Sequence, residues 1–286
     1  MIRALYLTGY FDWSLALPRG VTRFEVLGGV LAAVGATVAA SCAPPRGRAG
    51  PTVAAAADLQ FALPQALEAF RAQGGGPLRL VFGSSGAFTA QIEQGAPFEI
   101  FLSADAAYVR RLAQAGLTDG EGAPYGRGRI VLFSPAGSAL KVDPQMVDLA
   151  AALADGRLRK LAIANPEHAP YGRAAREALI HAGLWEGAQS RLVLGENAAQ
   201  AAQFAASGSA QGGLIAYSLA LAPEFARRGT FALIPESFHQ PLDQQMALLR
   251  GASATARAFY AFLQGPVARE VLARYGFVLP QAEGTR

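Results

Sequence analysis

From residue 52 onward, short apolar runs of strand character alternate with stretches whose apolar residues recur three and four apart. The runs lie at 53–56, 78–82, 100–102, 130–133, 161–164, 192–194, 214–216 and 231–234. Between them come patterns such as Leu63, Leu67 and Phe70, or Val109, Leu112 and Ala113, each one face of a helix. A strand followed by a helix, repeated, restricts the chain to an α/β architecture with mostly parallel sheets. In such folds ligands bind where strands end and helices begin. Two turn-rich stretches, 120–128 and 235–243, break the alternation. They divide the chain into a first lobe at 52–131, a second at 132–234, and a return to the first at 235–286.

The residues before this region read differently. An uncharged apolar run of about 15 residues at 26–40 follows Arg19 and Arg23 and precedes Ser41, Cys42 and Ala43. That length suits the core of an export signal better than a membrane span, which needs about 20 apolar residues. Residues 1–42 are therefore expected to be a leader and 43–51, rich in Pro and Gly, a tether. Cys42 stands where a bacterial lipoprotein carries its lipidated cysteine, but Ala39 occupies the position three earlier where leucine is usual. Lipidation at Cys42, ordinary cleavage at a small-residue site and an uncleaved anchor all stay open. Export itself places the mature chain in the periplasm or on the outer face of the cell membrane.

Composition removes several function classes. The chain is 52% hydrophobic and only 16% charged, with a net charge of +4, which is incompatible with disorder. Lys141 and Lys160 are its only lysines and the arginines are dispersed, so there is no stripe for nucleic acid. Neither lysine follows a glycine, which excludes a phosphate loop, and no GxGxxG follows a strand. The single cysteine cannot form an internal disulfide. His168, His181 and His239 lack metal-ligand spacing, so neither a resident metal nor a cofactor is expected.

Four strand-to-helix turns carry the polar chemistry. In VFGSSGAF, residues 81–88, Ser84 and Ser85 sit on a glycine-flanked turn. Their hydroxyls and the neighbouring N–H groups suit an anion at a helix start, although one serine capping the helix would explain the pattern equally well. The sequence is not the GxSxG of a nucleophile elbow. A hydrolase using Ser84 or Ser85 would have to recruit His168, which reads as a solvated loop histidine in NPEHAPYGR, residues 165–173. Tyr171 lies in that same loop. Asn197 and Ala198 form a third turn after Gly195, and Tyr217 follows a fourth strand as either core or ligand contact. Arg127 and Arg129, beside Tyr125, are either solvated or steer anions.

These turns, in this order, resemble the molybdate-binding protein family, the exported component of molybdate ABC transporters. The matching stretches are VAAAADL at 53–59, FGSSG at 82–86, QIEQGAPFEIFLSAD at 91–105, GRIVL at 128–132, AIANP at 162–166 with APYG at 169–172, and GEN at 195–197. The resemblance implies a type II periplasmic binding fold, two α/β lobes joined by two crossovers and closing on a tetrahedral oxyanion. It implies a non-enzymatic, monomeric receptor for molybdate, and also tungstate, that delivers its ligand to a membrane permease with a cytoplasmic ATPase. Carried over by motif, Ser84 and Ser85 supply hydroxyl and N–H donors, the Ala57-Asp58 turn N–H donors, and Tyr125 a phenol. Tyr171 and the Asn197-Ala198 turn contribute N–H groups from the other lobe, and Tyr217 is the least secure match. The departure is Ala57 followed by Asp58, where the family usually has a hydroxyl or amide. A carboxylate aimed at a dianion would repel it, so Asp58 is expected to turn back and cap its own helix; otherwise the ligand differs. The rival ligands are sulfate, thiosulfate or another oxyanion. The rival classes are an exported serine hydrolase and a sensory module.

Overall fold

The computed structural model describes residues 50–280, so the leader, Cys42 and most of the tether lie outside the described residues. Ten strands form two five-stranded sheets. The first sheet contains β1 (Thr52–Ala56), β2 (Arg79–Gly83), β3 (Ile100–Ser103) and β4 (Ala123–Gly128). The second contains β5 (Ile130–Pro135), β6 (Leu161–Ala164), β7 (Leu192–Gly195), β8 (Gly212–Ala216) and β9 (Gly229–Leu233). The last strand, β10 (Leu242–Leu248), returns to the first sheet. Strand orders are β2-β1-β3-β10-β4 and β7-β6-β8-β5-β9.

The sheets are mixed where mostly parallel pairing was expected. β1 runs parallel to β2 and β3, and β6 parallel to β7 and β8. The strands next to the crossings reverse direction, β10 against β3 and β4, and β5 against β8 and β9. The chain first crosses between lobes at Arg129, two residues before the boundary read from the sequence. It crosses back between β9 and β10. Of the stretches read as turn-rich boundaries, the first contains β4 and the second runs into the start of β10. In β4 the sequence APYGRG hides the pattern behind Pro and two Gly, while β10, LDQQMAL, has three polar residues in a row and places one of them, Gln244, on its buried side.

Helices cover both faces of the first sheet, which is why β1 is buried at every position. Val53 and Ala55 face a core with Leu63, Leu67, Phe70 and Phe259, while Ala54 faces Phe88, Ile92, Phe101 and Leu112. In the second lobe the helix Ala198–Ala206 presents five buried alanines to its sheet. Small side chains let it approach closely: a Cβ on Gly195 would lie 2.5 Å from the Ala201 nitrogen. No helix among the described residues is long and apolar enough to cross a membrane.

Candidate functional site

The strand ends and helix starts of both lobes meet around one small cavity. It is lined by Ala56, Ala57, Asp58, Gly83, Ser84, Ser85 and Ala104 of the first lobe. Ala169, Pro170, Tyr171 and Ala198 close it from the second. Its volume is about 10 Å³, against roughly 300–1,000 Å³ for pockets that take organic ligands. That is close to the room of a single water, far below what an organic ligand needs.

The sequence sets each wall locally. β1 ends at Ala56, and Ala57–Leu59 form a single 3₁₀ turn without a side-chain cap. β2 ends at Gly83, and Ser84 caps the helix Ser85–Glu93 by accepting from the Ala87 N–H at 3.3 Å. Ser85, fully buried, accepts from the Ala104 N–H at 2.9 Å, which leaves its own hydroxyl proton free to donate. Across the cleft, Pro170 opens the helix Pro170–His181, where its missing N–H is no loss. Tyr171 and Ala198 lie in first helical turns, whose N–H groups have no acceptor within their helices. Partial positive charge therefore gathers at the cavity without a cation.

Asp58 is the exception to this neutral lining. It is 1% exposed, and its Oδ2 accepts from the Tyr171 hydroxyl at 2.9 Å and from Gln244 Nε2 at 2.8 Å. Gln244 also donates to the Tyr171 oxygen at 3.1 Å. A register shift between Gln244 and Gln245 on β10 accompanies this arrangement, as bulges beside sites often re-aim a side chain. Burial pushes the Asp58 carboxyl up to about 6, against the pull of the Gln244 and Tyr171 hydrogen bonds. Burial first, then the nearby Asp58 charge, holds the Tyr125 and Tyr171 phenols well above their ordinary range.

Further contacts tie the lobes together around the cavity. The His168 carbonyl accepts from the Gly86 N–H at 3.0 Å, and His168 Nδ1 lies 2.8 Å from Ser84 Oγ. A Cβ on Gly86 would sit 2.6 Å from that carbonyl, so only glycine allows the approach. Ser218 donates to the Asp58 carbonyl at 2.8 Å, and Arg173 pairs with Asp105.

Of the residues singled out from sequence, Ala57, Asp58, Ser84, Ser85, Tyr171 and Ala198 line the cavity together. Three do not. The Tyr125 hydroxyl donates to the Ser103 carbonyl at 3.1 Å, committed within its own lobe. Asn197 caps its helix by accepting from the Gln200 N–H at 3.0 Å. Tyr217 stacks edge-on against Phe231 at 5.7 Å, and its N–H donates to the Arg129 carbonyl. The expectation that Asp58 caps its own helix is corrected in its main part: Asp58 Oδ2 reaches over the cleft to Tyr171, while the Asp58 and Leu59 backbone N–H groups add only a weaker pull on the carboxyl. Tyr171 accordingly contributes its phenol as well as backbone. His168, read as a solvated loop residue, is a lobe-to-lobe contact. Gln244 was missed altogether, because in LDQQMAL it stands among three consecutive polar residues and no apolar alternation marks it.

A family model described as bacterial extracellular solute-binding protein matches residues 51–278. The chain is 38% identical over 212 residues to the molybdate-binding protein ModA of Rhodobacter capsulatus, covering 73% of this chain and 80% of that protein. Its structure resembles that of the periplasmic molybdate-binding protein of Azotobacter vinelandii, with a TM-score of 0.73 and 33% identity over 81% of this chain and 100% of that one. The sulfate-binding protein SubI from Mycobacterium tuberculosis H37Rv is similar in fold alone, with a TM-score of 0.65 and 18% identity over 81% of this chain and 86% of that one.

Proposed function

The chain belongs to the molybdate-binding family of bacterial extracellular solute-binding proteins, and from that premise we propose that it captures molybdate between its lobes and hands it to an ABC permease. The observation that carries this reading is the cavity's lining: two serines and several helix starts from both lobes, with no Lys or Arg among them. Neutral donors fixed in a dry site stabilise a dianion, and their spacing sorts oxyanions by size. Tungstate, of the same shape and charge, is a ligand too. An oxyanion touching both lobes favours the closed arrangement over an open one, because only closure lets both sets of donors act on it. The two crossings, at Arg129 and between β9 and β10, are the hinge. The permease, driven by a cytoplasmic ATPase, reads that closure.

The protein works as a monomer in the periplasm, needs no cofactor and is not an enzyme. If Cys42 is lipidated, the tether holds the lobes at the outer face of the membrane. Calorimetric titration of the chain from residue 43 onward, with molybdate, tungstate, sulfate and phosphate in competition, tests the assignment. Tight molybdate and tungstate binding unmoved by excess sulfate is expected. Heat with sulfate or thiosulfate and none with molybdate would keep the fold and overturn the ligand.

One observation favours a second reading. Ser84 Oγ, His168 Nδ1 and, beyond the ring at 3.5 Å, Glu196 form a chain of the kind a serine hydrolase uses. Ser84 Oγ is occupied as a helix cap, however, and Glu196 is largely exposed. A His168→Ala variant that loses a measurable esterase activity of the wild type would support the hydrolase; no activity in either protein supports the receptor.

A further inference from the structure

A dianion entering this cavity meets a carboxyl group. Asp58 lines the cavity, and Tyr171 and Gln244 hold only its Oδ2. Oδ1 is buried and has no hydrogen-bond partner. The groups packed around Asp58 are neutral. They are the phenols of Tyr171 and, on β4, Tyr125; the Gln244 amide on β10; and the hydroxyl of Ser218, from the helix Tyr217–Ala220. Ser84 and Ser85 face the same cavity from the next turn, and the helix Ala198–Ala206 adds only alanine beside its capping Asn197. Of the charged side chains on the neighbouring turns, Asp105 pairs with Arg173 and Glu196 lies beside His168. No cationic side chain in the lining neutralises Asp58; the Asp58 and Leu59 backbone N–H groups, Gln244 and Tyr171 all pull its carboxyl down, and burial outweighs them.

Two like charges in a site of low dielectric repel strongly, and a buried acid answers by keeping its proton. Burial has already moved the Asp58 carboxyl to about 6 before a ligand adds its charge. Resting on the reading of the cleft as a molybdate site, we propose that Asp58 makes capture proton-coupled: the oxyanion binds together with one proton, held between Asp58 Oδ1 and a ligand oxygen. The proton comes from solvent. An O–H bond forms on Asp58 and donates to the ligand, and no bond within the oxyanion breaks. Asp58 thereby becomes a donor where Ala57 lacks a hydroxyl, and the partnerless Oδ1 gains a partner.

The test is calorimetric titration with sodium molybdate in buffers of different ionisation enthalpy, over a pH range in which molybdate itself stays a dianion. Near neutral pH the wild type is expected to take up close to one proton per ligand, and its affinity to fall about tenfold for each pH unit above neutrality. In Asp58→Asn the proton uptake disappears and the affinity becomes flat with pH. Molybdate binding without proton uptake in the wild type, or uptake that persists in Asp58→Asn, overturns the inference and leaves the functional reading standing. If the variant does not fold, the wild-type proton count decides alone. A wild type that binds no molybdate at any pH sinks the functional reading, and the inference falls with it.

Discussion

Two turns leave adjacent parallel strands at the same level, Ala56 beside Gly83 in register, and they use their polar side chains in opposite ways. After β2, Ser84 caps its own helix three residues on, and Ser85 satisfies the N–H of Ala104 on the neighbouring turn. After β1, nothing caps the short 3₁₀ turn, and Asp58 is held by Tyr171, 113 residues away, and by Gln244, 186 residues away. The first turn is fixed mainly by its own lobe, with His168 reaching it from the second. The second turn takes Gln244 from its own lobe and Tyr171 from the other. If the lobes close on a ligand as proposed, the first turn is built before closure and closure finishes the second.

The sharpest way to break the comparison is acid. Because the folded value for Asp58 is about 6 against an ordinary 3.8, the folded protein holds a proton that the unfolded chain has lost between those values. Asp58 therefore opposes folding at neutral pH, by about 3 kcal/mol for a shift of this size. That penalty fades as pH falls through 6 and is gone below 3.8. Carboxylates held low by arginine, Asp148 and Asp155 beside Arg157, act with the opposite sign, so the wild-type curve alone is ambiguous. The stability difference between wild type and Asp58→Asn, measured by urea unfolding from mildly alkaline to mildly acidic pH, isolates the term. It should shift toward the wild type on acidification. A difference that stays constant with pH would mean that the carboxyl is solvated and that the two turns are not so unlike.

Next in size is Ser85→Ala. It strips the Ala104 N–H of its partner in the interior, at a cost of about 2 kcal/mol in stability. It also removes the free hydroxyl proton from the cavity, which should weaken molybdate binding on the order of 10- to 100-fold, the range for a hydrogen bond to a charged group. Chemical denaturation and titration read the two effects separately, and unchanged affinity would move the ligand away from the β2 turn. Ser84→Ala is smaller. The lost cap costs about 1 kcal/mol, and the His168 ring loses its contact with Ser84 while its carbonyl keeps the Gly86 N–H. Chemical denaturation with no loss at all would show that the Ala87 N–H finds another acceptor.

The difference between the turns also decides what was legible. Ser84 and Ser85 stand out because their partners lie close by along the chain or on the next strand end, and glycines mark the turn. The eight apolar strands were visible as short apolar runs bounded by turns, and β1, β3, β5, β6 and β8 are buried at every position, as strands covered on both faces are. β4 and β10 were not, because strands beside a hinge carry polar side chains that serve the cleft. Gln244 is buried for the sake of Asp58 and Tyr171, and no local pattern encodes partners so distant. Asp58 was noticed yet misplaced. A helix cap is the economical guess for an aspartate at a turn, and the alternative depends on a phenol from the other lobe.

The least disruptive change sets the limit of the cavity. Tyr217 follows β8 at a strand end equivalent to the others, and the resemblance to the molybdate-binding family made it a ligand candidate. Its N–H is spent on Arg129, its ring packs on Phe231, and a Cβ on Gly276 would lie 2.5 Å from it. Its hydroxyl makes no hydrogen bond among the described residues. Tyr217→Phe keeps the ring and removes only that oxygen, so stability should change by less than about 0.5 kcal/mol and molybdate affinity should stay the same. A substantial loss of affinity would carry the binding wall past Ala198 to the end of β8. The second lobe would then contribute a second side-chain hydroxyl beside that of Tyr171, and the contrast between a turn held by its own lobe and one completed by Tyr171 would have to be redrawn around Tyr217.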